Sequence, residues 1–111
     1  MGRKSDFVIG DRFGTSCDKR ITRFVHTALT ELGYLVQINR PYAGGYITEH
    51  YGKPHLGIHS IQIEINRRLY VDEKTLEKFS AFQLLERNLI HLVQRLFSEI
   101  PFLMERRSAA E

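Results

Sequence analysis

The chain has 111 residues, which suits one domain (residues 1–111) near the most common domain size. With 42% apolar residues, 26% charged residues and three prolines, the composition is that of a folded globular protein. Because 16 lysines and arginines oppose 13 acidic residues without a block of like charge, nucleic-acid binding is disfavoured. One cysteine excludes an internal disulfide, and no apolar run approaches the ~20 residues that span a bilayer. A lone thiol and the polar start MGRKSDFVIG, which is no secretory leader, predict a reducing, cytoplasmic setting.

The first elements predicted along the chain are a short strand and a helix. Phe7–Ile9 is a short apolar run that favours a strand. Either Ser16 or Asp18 can cap the helix that follows, because a short side-chain oxygen accepts from the free amides of a first turn. The helix carries one continuous apolar stripe, formed by Ile21, Phe24, Val25, Ala28, Leu29 and Leu32. Gly33 suits the position just after its end.

Two further strands are predicted, separated by an excursion that is rich in glycine. Tyr34–Ile38 is β-prone and is ended by Pro41, which cannot donate to a ladder. Ile58–Asn66 alternates strictly. Three isoleucines face one way, and four polar residues face the other, namely Ser60, Gln62, Glu64 and Asn66.

The last segment predicts a second amphipathic helix from about Ser80 to Glu99, ending before Pro101. Its apolar face consists of Phe82, Leu85, Leu89, Leu92, Val93 and Leu96. The order strand, helix, strand, excursion, strand, helix predicts an α/β fold. We expect a small three-layer-type arrangement with a few mostly parallel strands and two long amphipathic helices, in which only one sheet face is well covered.

Glu64 is the first candidate for chemistry, because it is a carboxylate set among isoleucines on a predicted strand. Burying an unpaired carboxylate costs several kcal/mol. The polar face is therefore either solvated or lines a pocket, and in a pocket partial desolvation would suit Glu64 to general-base catalysis. The structural alternative is an ion pair of Glu64 with Arg40 or Arg67.

Histidines in the excursion raise the possibility of a metal site. His50, His55 and His59 offer imidazoles, which are ordinary zinc ligands. Their spacing does not place them on one helical face, and no HExxH or HxH pattern is present. The sequence therefore favours no self-contained zinc site here.

Three other features have both a functional and a structural interpretation. Gly44 and Gly45 could bring backbone amides to an anion, or could simply supply positive φ in a turn. Arg40 could bind a ligand carboxylate in a bidentate pair, or could be an ordinary surface arginine. Cys17 lies beside a predicted helix N-terminus, which would lower the pKa of its thiol and would allow a cysteine nucleophile, but no histidine lies nearby in sequence, so a structural cysteine is favoured.

Three motifs carry a family resemblance: GDRFGTSCD (Gly10–Asp18), RPYAGGYITEHYGKP (Arg40–Pro54) and HSIQIEINRRLYVDE (His59–Glu73). In this order they resemble the C-terminal portion of the N-formylglutamate amidohydrolase (N-formylglutamate deformylase) family, over nearly the whole chain. The resemblance implies a metal-dependent hydrolase with a fold related to zinc carboxypeptidases. Such enzymes cleave N-formylglutamate to glutamate and formate in histidine catabolism.

The resemblance also implies roles for individual residues. Glu64 would be the general base that takes a proton from metal-bound water. The substrate side would be lined by Arg40, Gly44, Gly45, Tyr51 and Gln62, where the pairing of Arg40 with a substrate carboxylate is our own chemical inference.

Zinc is the cofactor that the resemblance implies, but the family's metal ligands lie upstream of the first motif. No metal ligand is therefore assigned in this chain. We expect the chain to be a truncated member that lacks the metal-binding half and is inactive alone.

Two other functions remain open from the sequence. The chain could be a non-enzymatic module that binds small molecules or anions, or a structural remnant that self-associates through uncovered sheet surface. The expected partners are an N-acyl amino acid substrate and a missing N-terminal half or a second copy, with no nucleic acid and no membrane.

Overall fold

The computed structural model describes residues 4–71 and 81–110, with side chains over 4–71 and 82–105. Three short strands form one mixed sheet: β1 (Phe7–Gly10), β2 (Val36–Ile38) and β3 (Gln62–Ile65), in the order β2-β1-β3. The first strand pairs in parallel with β2 and antiparallel with β3. The expectation of mostly parallel strands is therefore wrong for one of the two pairings.

The register explains the direction of β3. Ile38 at the end of β2 is paired with Ile9, and Gln62 at the start of β3 is paired with Gly10. The excursion thus delivers the chain to β3 at the same end of the sheet where β2 finishes. Since β3 starts at that end, it has to run back antiparallel to β1.

The first long helix, α1 (Lys19–Glu31), forms as predicted. The side chain of Asp18 accepts a hydrogen bond from the backbone N–H of Arg20, and Gly33 follows the helix with a φ of +95°. A short helix, α2 (Tyr46–Tyr51), lies within the excursion.

The second long helix, α3 (Ala81–Ala110), continues through Pro101, so the predicted end before that residue is wrong. A proline inside a helix removes the hydrogen bond to the carbonyl four residues earlier, and here the helix tolerates that loss instead of ending. The predicted start at Ser80 and the motif residues Asp72 and Glu73 lie outside the described residues. None of the helices in the described part of the chain is both long and apolar enough to cross a membrane.

The core lies between the sheet and the two long helices. It consists of Phe7, Ile9, Val25, Ala28, Leu29, Val36, Leu85 and Leu92. The alternating isoleucines of β3 and its lead-in (Ile61, Ile63 and Ile65) pack against this core, which confirms the predicted inward face. Both long helices therefore pack against one face of the sheet. The described residues form two layers, where three were expected.

The opposite face of the sheet is approached by the excursion instead of a long helix. A Cβ at Gly10 would lie only 2.6 Å from the carbonyl carbon of Ala43, and the N–H of Arg12 donates to the Ala43 carbonyl at 2.8 Å. Glycine at position 10 is what allows this close backbone approach. The excursion is thereby held against the strand that carries the core.

Candidate active site

The polar face of β3 contributes two of the predicted site residues. Because Ile63 and Ile65 turn toward the core, Gln62 and Glu64 project from the other face, where Glu64 is exposed and lies opposite Val8. Glu64 lines a groove of about 540 Å³, together with Lys4, Ser5, Asp6, Phe7, Val8, Pro41, Tyr42, Ile65 and Asn66. This volume falls within the range of roughly 300–1,000 Å³ that is typical of small-molecule sites.

A chain of hydrogen bonds joins three of the predicted residues. The backbone N–H of Gly45 donates to Gln62 Oε1 at 3.0 Å, and Gln62 Nε2 donates to Glu64 Oε1 at 2.7 Å. The alternative interpretation of Glu64, an ion pair with Arg40 or Arg67, is wrong for the described residues, where no such pair forms. Glu64 lines the groove, and its carboxylate accepts a hydrogen bond from the Gln62 amide.

The two glycines play different roles in the turn before α2. Gly44 has a φ of +114°, and a Cβ there would lie 2.5 Å from Thr48 Oγ1, so this position favours glycine. Gly45 precedes α2 with ordinary extended backbone, and its carbonyl accepts from Thr48 Oγ1 at 2.7 Å. The turn interpretation therefore accounts for Gly44, whereas Gly45 contributes the amide that reaches Gln62.

Arg12 is a charged residue at this turn that the sequence reasoning missed. Its Nη1 donates to the Gly44 carbonyl at 3.2 Å, and its Nη2 lies 3.4 Å from Glu49 Oε2. Arg12 has a φ of +53° in the loop after β1, and no local pattern in the sequence predicts where its side chain goes. The guanidinium is thus placed beside the glycine pair.

Arg40 and Tyr51 are not brought into contact with Glu64. Arg40 is exposed next to Pro41, which lines the groove, but the arginine itself is not among the lining residues. Tyr51 ends α2 with its side chain 58% exposed, and its ring meets His50 edge-on at 4.7 Å. Their assignment to the substrate side stays a prediction.

The histidines of the excursion do not converge. His50 and His55 are exposed, and His59 Nδ1 accepts the backbone N–H of Asp18 at 3.0 Å, so that nitrogen serves the start of α1. Within residues 4–71 and 81–110, no three histidine, cysteine, aspartate or glutamate side chains come together in a way that could hold a metal ion.

Cys17 is fully buried, which argues against the cysteine nucleophile that the sequence left open. Burial raises the pKa of its thiol from 9.0 to about 11, and the nearby charges of Asp11 and Asp18 act in the same direction. A hydrogen bond with Thr22 opposes the shift but does not cancel it. Desolvation therefore outweighs any benefit from the helix N-terminus, and the thiol is protonated and inaccessible at neutral pH.

Comparison with known proteins agrees with the family that the motifs indicate. The model of the N-formylglutamate amidohydrolase family matches residues 1–71. The chain belongs to this family. It is 36% identical over 74 residues to the N-formylglutamate deformylase of Pseudomonas aeruginosa, covering 66% of this chain and 28% of that protein. It is also 36% identical over 73 residues to the enzyme of the same name from Pseudomonas putida, covering 65% and 27%.

A solved structure shows the same fold over nearly all of the chain. The crystal structure of N-formylglutamate amidohydrolase from Ralstonia eutropha JMP134 matches with a TM-score of 0.84 and 38% identity, over 90% of this chain and 36% of that chain. The present chain spans little more than a quarter of the length of the curated relatives.

Proposed function

We propose that this chain forms the general-base and substrate-contacting part of an N-formylglutamate amidohydrolase. The observation that carries the proposal is the position of Glu64, which faces the groove and is bonded to Gln62 on the sheet face away from the core. Family membership supports the reaction class, and the names of the relatives point to deformylation.

The residues present suggest how the reaction uses them. Gln62 occupies Oε1 of Glu64, so Oε2 is the oxygen that accepts a proton from the attacking water. The water oxygen bonds to the formyl carbon, and the bond from that carbon to the amide nitrogen then breaks. The proton passes to the leaving nitrogen, and the products are formate and glutamate.

The substrate contacts are part of the same proposal. Arg40, Gly44, Gly45 and Tyr51 are proposed to face the glutamate part of the substrate. Arg12, held at the Gly44 carbonyl, adds a guanidinium near the turn that suits a carboxylate.

The family resemblance implies zinc, but the described residues do not fit a zinc ion. A zinc site needs at least three protein ligands, and no such cluster of donors is found in residues 4–71 and 81–110. We propose that the reaction requires a metal-binding part of the family's fold besides the groove described here. We also propose that the fold of the family is related to that of zinc carboxypeptidases.

A chimera tests the proposed function directly. The 74-residue matched segment of the Pseudomonas aeruginosa deformylase is replaced by the corresponding segment of this chain, and formate release from N-formylglutamate is measured. We expect an active chimera in which Glu64→Gln lowers kcat by about 10²- to 10⁴-fold, the usual contribution of a general base.

The matched control is Glu31→Gln, the same change at an exposed glutamate on α1. Its activity should equal that of the chimera. The proposal is wrong if a folded chimera is inactive, or if Glu64→Gln retains full activity.

A second candidate function is a binding module without catalysis. The observation in its favour is a groove of ligand size in the absence of a metal-ligand cluster among the described residues. Calorimetric titration of the chain with N-formylglutamate and with glutamate tests it, and no heat at millimolar ligand would count against it.

A further inference from the structure

The side-chain amide of Gln62 has an orientation that its neighbours dictate. The backbone N–H of Gly45 can only donate, so the atom of Gln62 that faces it, at 3.0 Å, has to be the oxygen. The NH₂ group therefore points the other way, to Glu64 Oε1 at 2.7 Å. Each end of this amide is used within the protein.

The turn that Gln62 contacts is itself held at two other points. The backbone of residues 43–44 packs closely against Gly10, where an added Cβ would lie within 2.7 Å of three backbone atoms. Arg12 also donates to the Gly44 carbonyl at 3.2 Å. A turn fixed in this way is a firm support from which a side chain can hold a neighbouring carboxylate.

We infer that Gln62 is a positioning residue that couples the Gly44–Gly45 turn to Glu64. The inference rests on the proposed function, in which the turn lies on the substrate side and Glu64 is the base. Gln62 holds Oε1 and leaves Oε2 directed to chemistry in the groove. A substrate group that accepts a hydrogen bond from the Gly45 N–H then also changes the hydrogen bond from Gln62 to Glu64.

Nuclear magnetic resonance of the 111-residue chain tests the coupling without any need for activity. Gly45 and Glu64 have no direct hydrogen bond in the structure, so Glu64→Ala should move the Gly45 amide resonance only through Gln62. We expect a clear shift in the wild-type background and none in the Gln62→Met background. Gln62→Met should also speed exchange of the Gly45 amide with water by about fivefold, the factor for a typical net hydrogen bond.

Gln37→Met is the matched control. Gln37 is an exposed glutamine on β2, and it pairs with Val8, which also faces Glu64, so it shares the same sheet face. In this background Glu64→Ala should move the Gly45 resonance as in the wild type, and the Gly45 exchange rate should stay unchanged.

Two results would overturn the inference: a Gly45 resonance that ignores Glu64→Ala, or one that moves equally in the Gln62→Met background. A positioning role also predicts that Gln62→Met in the active chimera lowers kcat by more than it raises KM. If the chimera is inactive but the Gly45 resonance still responds to Glu64→Ala through Gln62, the proposed function is wrong and the coupling is supported. If the chimera is active but this response is absent, the proposed function is supported and the coupling is wrong.

Discussion

Cys17 provides a prediction whose size follows directly from the structure. Its thiol is fully buried, and its pKa is raised from 9.0 to about 11. At any pH below 9 the native chain therefore holds about a hundredfold less thiolate than the unfolded chain, since each pKa unit is a factor of ten. Because thiolate is the reactive form, labelling of native Cys17 should follow opening of the fold.

The same shift makes stability depend on pH in a defined direction. Below pH 9 the thiol is protonated in both states, and the shift has no effect. Between pH 9 and about 11 the unfolded chain releases the proton while the folded chain keeps it, so the free energy of unfolding falls as pH rises. The full loss is about 3 kcal/mol, because a shift of two pKa units is a hundredfold change in the equilibrium between the two forms.

Urea unfolding at pH 8, 9.5 and 10.5 measures this loss, with Cys17→Ala as the reference that removes the thiol but leaves all other titrating groups. The wild type should lose more stability than the variant over this range. The reasoning is refuted if both proteins show the same pH dependence, or if native Cys17 labels at the rate of the unfolded chain.

Three further changes should affect stability, each read from urea unfolding. Gly10→Ala should cost about 3 kcal/mol of stability, because the added Cβ would lie 2.6–2.7 Å from backbone atoms. Gly45→Ala is the control and should cost under ~1 kcal/mol, because the nearest atom to its Cβ is 3.6 Å away. Equal costs would contradict the close backbone approach at Gly10. Asp18→Ala should lower the free energy of unfolding by about 1 kcal/mol through loss of the cap on α1. Asp18→Asn should keep most of the stability of the wild type, because asparagine also caps a helix. Arg68→Ala should cost about 2 kcal/mol because the substitution removes the guanidinium that pairs with the buried carboxylate of Asp6. This is less than the cost for a fully buried pair, because the Arg68 side chain is 40% exposed. A loss under ~0.5 kcal/mol would argue against that pair.

The features that the sequence predicted well are those that depend on near neighbours. The stripe and the cap of α1 follow from residues three or four positions apart, and the two faces of β3 follow from alternation. Alternation singled out Glu64 as a solvent- or pocket-facing carboxylate without any knowledge of the sheet. The motifs indicated the family, because they combine particular residues at particular spacings.

Tertiary contacts decided the rest. The direction of β3, the burial of Cys17 and the passage of α3 through Pro101 depend on what packs against each segment, which no local period records. The same is true of the candidate site, where Gly45 and Gln62 are 17 positions apart and meet only because the excursion returns to β1. Local patterns are set by bonds within one or two turns, so the sequence by itself determined the helices, the strand faces and the candidate base. Gln62, the hydrogen-bond partner of that base, lies two positions away on the same strand face. The turn that Gln62 contacts is brought there by chain segments that meet only in the folded molecule, so only the tertiary structure could show that contact.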